Sequence, residues 1–65
     1  MKDCGKPTGF RDIKGKMIQI CDEVLIENLT FEVIVNPFTQ KVVVDGDTGQ
    51  EVLVNVFHKC EIVSE

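Results

Sequence analysis

The chain has 65 residues, 43% of them hydrophobic, and eleven acidic against seven basic side chains give a formal net charge of −4. A single domain of this size buries only roughly 60% of the surface its unfolded chain exposes, so the core must be built from Val, Ile, Leu and Phe. The apolar share excludes a disordered chain, the acidic balance disfavours nucleic acid as a partner, and no apolar run has the length of a signal segment or a membrane span.

Residues 1–9 set Gly5, Pro7 and Gly9 among polar side chains, the composition of a flexible arm. The domain proper is expected over 10–65, with Phe10 its first anchored residue. Lys2, Lys6, Arg11, Lys14 and Lys16 gather at this end, and only Lys41 and Lys59 follow. Such a basic arm is the one feature that would favour DNA or RNA binding.

Asp12-Ile13-Lys14-Gly15 reads as a tight turn, because Asp bonds its own backbone two residues on and Gly15 is free to turn left-handed. A strand is expected from Lys16 to about Ile20, and a second apolar run, Val24-Leu25-Ile26, after Cys21-Asp22-Glu23. Ile18, Ile20, Val24 and Ile26 share a parity that Asp22 interrupts. A carboxylate on a core face is costly, which predicts a bulge or turn at Cys21-Asp22. Glu27-Asn28 is the length of a two-residue hairpin turn. Leu29, Phe31, Val33 and Val35 then alternate with polar positions, as a half-buried strand requires.

Asn36-Pro37-Phe38-Thr39 is the strongest turn signal, with Pro37 fixing the backbone angle of a turn's second position. Gln40 to Asp45 is a predicted strand, Asp45-Gly46-Asp47-Thr48-Gly49 a hairpin loop, Gln50 to Phe57 a strand with Val52, Val54 and Val56 inward, and Glu61 to Val63 a short closing strand. No helix is expected beyond a single turn near His58-Lys59-Cys60. Short antiparallel strands at this spacing predict an all-β fold, a small five- to six-stranded SH3-like barrel.

Four side chains have ligand chemistry: Cys4, Cys21, His58 and Cys60. The close pairs that mark a zinc site are missing, so a metal or redox site at Cys21, His58 and Cys60 is a third reading behind plain packing. A Cys–His nucleophile would need a substrate cleft that so small a fold has little room for. Three cysteines and no export signal suit the cytoplasm, a setting that argues against a disulfide. Asp45-x-Asp47-x-Gly49 opens like a calcium loop, but Val56 falls where the bidentate Glu is required. Asn28-Leu29-Thr30 matches a glycosylation sequon only by chance in a protein without an export signal.

Breaks in the alternation are more telling. Ile34, Val43, Leu53 and Phe57 are apolar on strand faces that should be wet, and Phe10 and Phe38 sit beside turns. These six residues are the predicted working surface, for a protein partner or self-association. No cofactor is implied, and the chain reads as a non-enzymatic binding module.

The run Thr8-Gly9-Phe10-Arg11-Asp12-Ile13-Lys14-Gly15-Lys16-Met17-Ile18, followed by Asp22-Glu23-Val24, resembles the opening of phage YopX-type proteins. In those, a Thr-Gly, an Asp, a Gly and an Ile precede a Gly-Asp pair and a Val or Ile. Here Thr8-Gly9, Asp12, Gly15, Ile18, Asp22 and Val24 match, and Cys21 stands where the family has glycine. The resemblance covers about a quarter of the chain. It implies a β-rich barrel of phage or mobile-element origin and offers no catalytic residues to carry over.

Overall fold

Turns set by Asp, Asn and Gly cut the chain into short strands, and every paired strand is antiparallel. In the computed structural model, which describes residues 4–63, β1 (Pro7–Arg11) pairs with β2 (Met17–Gln19) in a two-stranded sheet. β3 (Glu23–Ile26), β4 (Leu29–Val35), β5 (Val42–Gly46), β6 (Gly49–Val52) and β7 (Glu61–Ile62) make a second sheet in the order β6-β5-β4-β3-β7. The all-β expectation holds. Ile18, Ile20, Val24, Ile26, Phe31, Val33, Val44, Leu53 and Cys60 form the core between the layers.

The strands of the expected SH3-like barrel do not close on themselves. β6 and β7 are the two edges of the five-stranded sheet and do not pair with each other. The stretch expected as a strand from Gln50 to Phe57 explains why. β6 stops at Val52, and the chain crosses to the far edge through a one-turn helix, α1 (Leu53–Val56), and a 3-10 turn (Phe57–Lys59). The same sequence satisfies two periods. Val52, Val54 and Val56 recur every second residue, whereas Leu53, Val56, Phe57 and Cys60 recur at helical spacing. The second set faces the core: Leu53 and Cys60 are fully buried and Val56 and Phe57 pack against the cluster, while Val54 is exposed. Only the helical reading carries the chain from one sheet edge to the other.

Two local expectations are met in detail. Glu27 and Asn28 close the β3–β4 hairpin with Ile26 opposite Leu29, both at positive φ, 51° and 70°, as the tightest right-twisted hairpin turn demands. At Cys21–Asp22 the parity break is a β-bulge. Cys21 N–H donates to the Val33 carbonyl at 2.8 Å, and Val33 N–H donates to that of Asp22 at 2.9 Å. Two residues thus face one, and Cys21 takes the left-handed conformation, φ 76°, that glycine usually fills. The bulge turns Asp22 off the core face, and its Oδ2 accepts the Gln19 N–H at 2.9 Å.

Residues 1–3 of the expected flexible arm, with Lys2, lie outside the described residues, as do 64 and 65 at the other end. Residues 4–9 are part of the fold. Gly5 N–H donates to the Ile20 carbonyl, Ile20 N–H donates to that of Lys6, and β1 begins at Pro7. A disulfide joins Cys4 to Cys21, Cα to Cα 5.1 Å. This corrects the expectation that argued against a disulfide and read these cysteines as plain packing residues. The pair has a sequence separation of 17, so the bond encloses the whole β1–β2 hairpin.

Gly46 shows how closely β5 approaches β4 at this end of the sheet. A Cβ there would lie 2.7 Å from Phe31 Cδ2 and 2.9 Å from the Thr30 carbonyl oxygen. The ring could rotate aside, but the backbone oxygen could not without disturbing β4. Gly46→Ala should therefore cost about 2 kcal/mol by overpacking. Chemical denaturation would read this as a lower midpoint at unchanged slope, and an unmoved midpoint would show that the contact is slack.

Candidate interaction surface

Of the six residues predicted to form a working surface, Phe38 alone is strongly exposed, at 92%. Its turn is held from several sides. Asn36 Oδ1 accepts the N–H groups of Phe38, 2.8 Å, and Thr39, 3.2 Å. Gln40 N–H donates to the Asn36 carbonyl at 2.7 Å, and Asn36 N–H to that of Lys41 at 2.9 Å. Thr39 Oγ1 accepts the Lys41 N–H, and Asn36 Nδ2 donates to Gln50 Oε1. Pro37 removes one more backbone freedom. An aromatic side chain is thus presented to solvent from a fixed backbone, so that ordering it against a partner costs little entropy.

The other five do not join it in one patch. Ile34 and Val43 are opposite each other on β4 and β5, and Val52 is opposite Val43 on β6. This apolar row stands outside the main core cluster, on the face where Glu32 pairs with Asp45. Ile34 and Val52 are half-buried and shield Val43, which is only 3% exposed. Leu53 belongs to the core, a correction that follows from the helical turn. Phe10 and Phe57 stack on one another, centroids 4.9 Å apart, and are half-buried, with His58 edge-on to Phe57 at 5.8 Å. Their exposure is largely used up by that contact.

The sulfur and imidazole groups are not assembled either. Cys4 and Cys21 are consumed by their disulfide. Cys60 is fully buried, and its Sγ donates to the Val56 carbonyl at 3.4 Å. Burial, and secondarily the Asp12 charge, push its thiol up to about 11. His58 is exposed. Among the described residues no three His, Cys, Asp or Glu side chains converge as a metal would require. The Asp45–Gly49 loop is shorter than expected, since Gly46 pairs with Gly49 and only Asp47 and Thr48 turn. Cys60 should resist iodoacetamide at neutral pH in the native protein and react at the rate of free cysteine once unfolded; rapid native labelling, read by mass, would contradict this burial.

Asp12 is the residue that sequence reasoning undervalued. It is 6% exposed. Its Oδ1 accepts the N–H groups of Lys14, 3.0 Å, and Lys16, 2.8 Å, and its Oδ2 accepts that of Ile62, 3.0 Å, fifty residues away. Ile13 N–H donates to the Cys60 carbonyl, and Lys14 Nζ meets Glu61 at 2.9 Å. The carboxylate is the clamp between the β1–β2 loop and β7. Two of the basic side chains near the arm are engaged on the molecule itself, Lys14 with Glu61 and Arg11 Nη1 with the Gly15 carbonyl.

At the end of the five-stranded sheet away from Phe38 there is a cleft of about 290 Å³. Ile26, Leu29, Phe31 and Val56 give it an apolar lining, and Glu27, Glu51 and Lys59 its charged rim. Leu29, expected inside with Phe31 and Val33, is instead 46% exposed at this opening. No helix among the described residues is long and apolar enough to cross a membrane. No family model, no curated protein and no solved structure matches the chain.

Proposed function

We propose that the chain is a small non-enzymatic interaction module that binds a protein partner through the Asn36–Lys41 turn. The observation that carries this reading is Phe38, 92% exposed on a backbone its neighbours hold in place. Aromatic anchors of this kind dominate the energy of protein interfaces. A side chain that contributes nothing to the core while its turn is fully hydrogen-bonded is better matched to recognition than to stability. Among the described residues no three His, Cys, Asp or Glu side chains converge, which gives the metal and redox reading no support.

Replacing Phe38 by a photo-crosslinking phenylalanine analogue in cells should yield an adduct of one discrete added mass. Phe38→Ala should leave the denaturation midpoint within about 0.5 kcal/mol of wild type, as for an exposed site. Irradiation giving no adduct would overturn the reading.

The same proposal places the protein in the cytoplasm, among accessory proteins of phage or mobile elements. The left-handed backbone at position 21 supports the resemblance, since a glycine there in the YopX-type opening would suit the bulge. Disulfides persist in oxidising compartments, so in the cytoplasm the Cys4–Cys21 pair would stand largely as thiols.

A further inference from the structure

We infer that the partner includes a second copy of this chain, seated head to tail, with Phe38 of one molecule in the Ile26–Leu29–Phe31–Val56 cleft of the next. This rests on the reading of Phe38 as an anchor and goes beyond it by naming the receptor.

Position comes first. β4 runs from Leu29 to Val35 and β5 from Val42 back to Gly46. The Asn36–Lys41 turn therefore caps one end of the sheet. The Glu27–Asn28 and Asp47–Thr48 turns, with the cleft between them, cap the other. Seven residues of extended strand separate knob and cleft by roughly 20 Å, most of the molecule's 27 Å longest dimension. A knob and a cleft at opposite ends cannot satisfy each other within one molecule.

Chemistry comes second. The cleft is apolar inside; on its rim Lys59 pairs with Glu27 at 3.7 Å, which leaves the excess negative charge to Glu51, with Asp47 in the adjoining turn. Residues 36–41 contain no carboxylate and one cation, Lys41, three positions after Phe38. An aromatic ring entering the cleft would bring Lys41 towards an acidic rim. Opposite charges flanking an apolar anchor set the orientation and speed the encounter.

A head-to-tail contact of this kind is heterologous, and copies add in a row unless the rotation between them closes a ring. The contact is also small, well below the area of a stable dimer, so dissociation constants on the order of 0.1–1 mM are expected. Dilute protein is then monomeric, and concentrated protein forms short chains.

Sedimentation velocity across 20 µM to about 1 mM tests this, with concentrations set by that expected affinity. The wild-type boundary should move to larger mass with concentration and return towards monomer in high salt. Phe38→Ala lacks the knob and Leu29→Arg blocks the cleft, so each alone should stay monomeric at the top concentration. Mixed in equal amounts they should form one species of twice the monomer mass and nothing larger, because one knob and one cleft remain. Should Leu29→Arg fold poorly, Glu51→Lys replaces it and should weaken wild-type association roughly tenfold, as for a lost charge pair. A wild type that stays monomeric at about 1 mM, or a Phe38→Ala variant that associates as wild type does, would overturn the inference. The photo-adduct at position 38 could still form with a different protein, which separates this failure from failure of the anchor itself.

Discussion

Asp12→Ala should lower the stability of the native protein by about 3 kcal/mol, because a charged acceptor for three backbone donors disappears. Lys14 and Lys16 are exposed, and water can replace the lost acceptor there. The Ile62 N–H is half-buried, so water replaces its acceptor less readily. In a chain of this length the loss is a large share of the total and should lower Tm by roughly 15 °C. Asp12→Asn should recover little, since an amide turns a donor towards one of three N–H groups.

The acid limb supplies an independent check. Burial alone would raise the Asp12 carboxyl, but the N–H groups of Ile62, Lys16 and Lys14, with the Lys16 charge, outweigh it and hold the group below its ordinary value of 3.8. A depressed carboxylate contributes its full stabilisation above the unfolded-state value and loses it as pH falls through the folded one. The gap in urea midpoint between wild type and Asp12→Ala should therefore be constant above pH 5 and shrink below about pH 4. A gap unchanged at pH 2 would mean that the carboxylate's charge plays no part.

The second large effect concerns the Cys4–Cys21 bond, and its sign depends on redox state. Closing a loop between cysteines at a sequence separation of 17 should contribute about 3 kcal/mol by restricting the unfolded chain. Cys21 at the same time occupies a left-handed backbone, φ 76°, which costs a non-glycine residue about 1–2 kcal/mol. Cys21→Gly removes both terms. Without reductant it should be about 2 kcal/mol less stable than wild type. With a phosphine reductant present it should be about 1 kcal/mol more stable than the reduced wild type. Paired urea titrations read this directly, and the decisive result is the crossing of the two stabilities. If the glycine variant is weaker in both conditions, position 21 is not strained.

Much of the fold was legible because it is written locally. Asp12–Gly15, Glu27–Asn28 and Asn36–Thr39 are turns that a few neighbouring residues determine, and each lies where the sequence puts it. The bulge at Cys21–Asp22 was legible from one misplaced carboxylate. The crossover was not, since Val52–Cys60 fits both a strand and a helical turn. The choice is made by the distance between sheet edges that no local pattern records. Barrel closure failed as an expectation for the same reason. The candidate surface divided along this line too. Phe38 is exposed because its own turn places it there, whereas Val43 is covered by Ile34 and Val52 on the neighbouring strands and Leu53 by the core. Asp12 looked like an ordinary turn residue, and its bond to Ile62 has no local signature.

That last bond bears on how the chain is made. Ribosomes deliver residues from the N-terminus, so the donor at Ile62 emerges fifty residues after the carboxylate it must satisfy. At about 5–20 residues per second the wait is several seconds, and the hairpin that encloses Asp12 spends it unfinished. The contact between the β1–β2 loop and β7 is thus withheld until synthesis reaches Ile62. A nascent chain stalled before Glu61 would expose this open end to proteases.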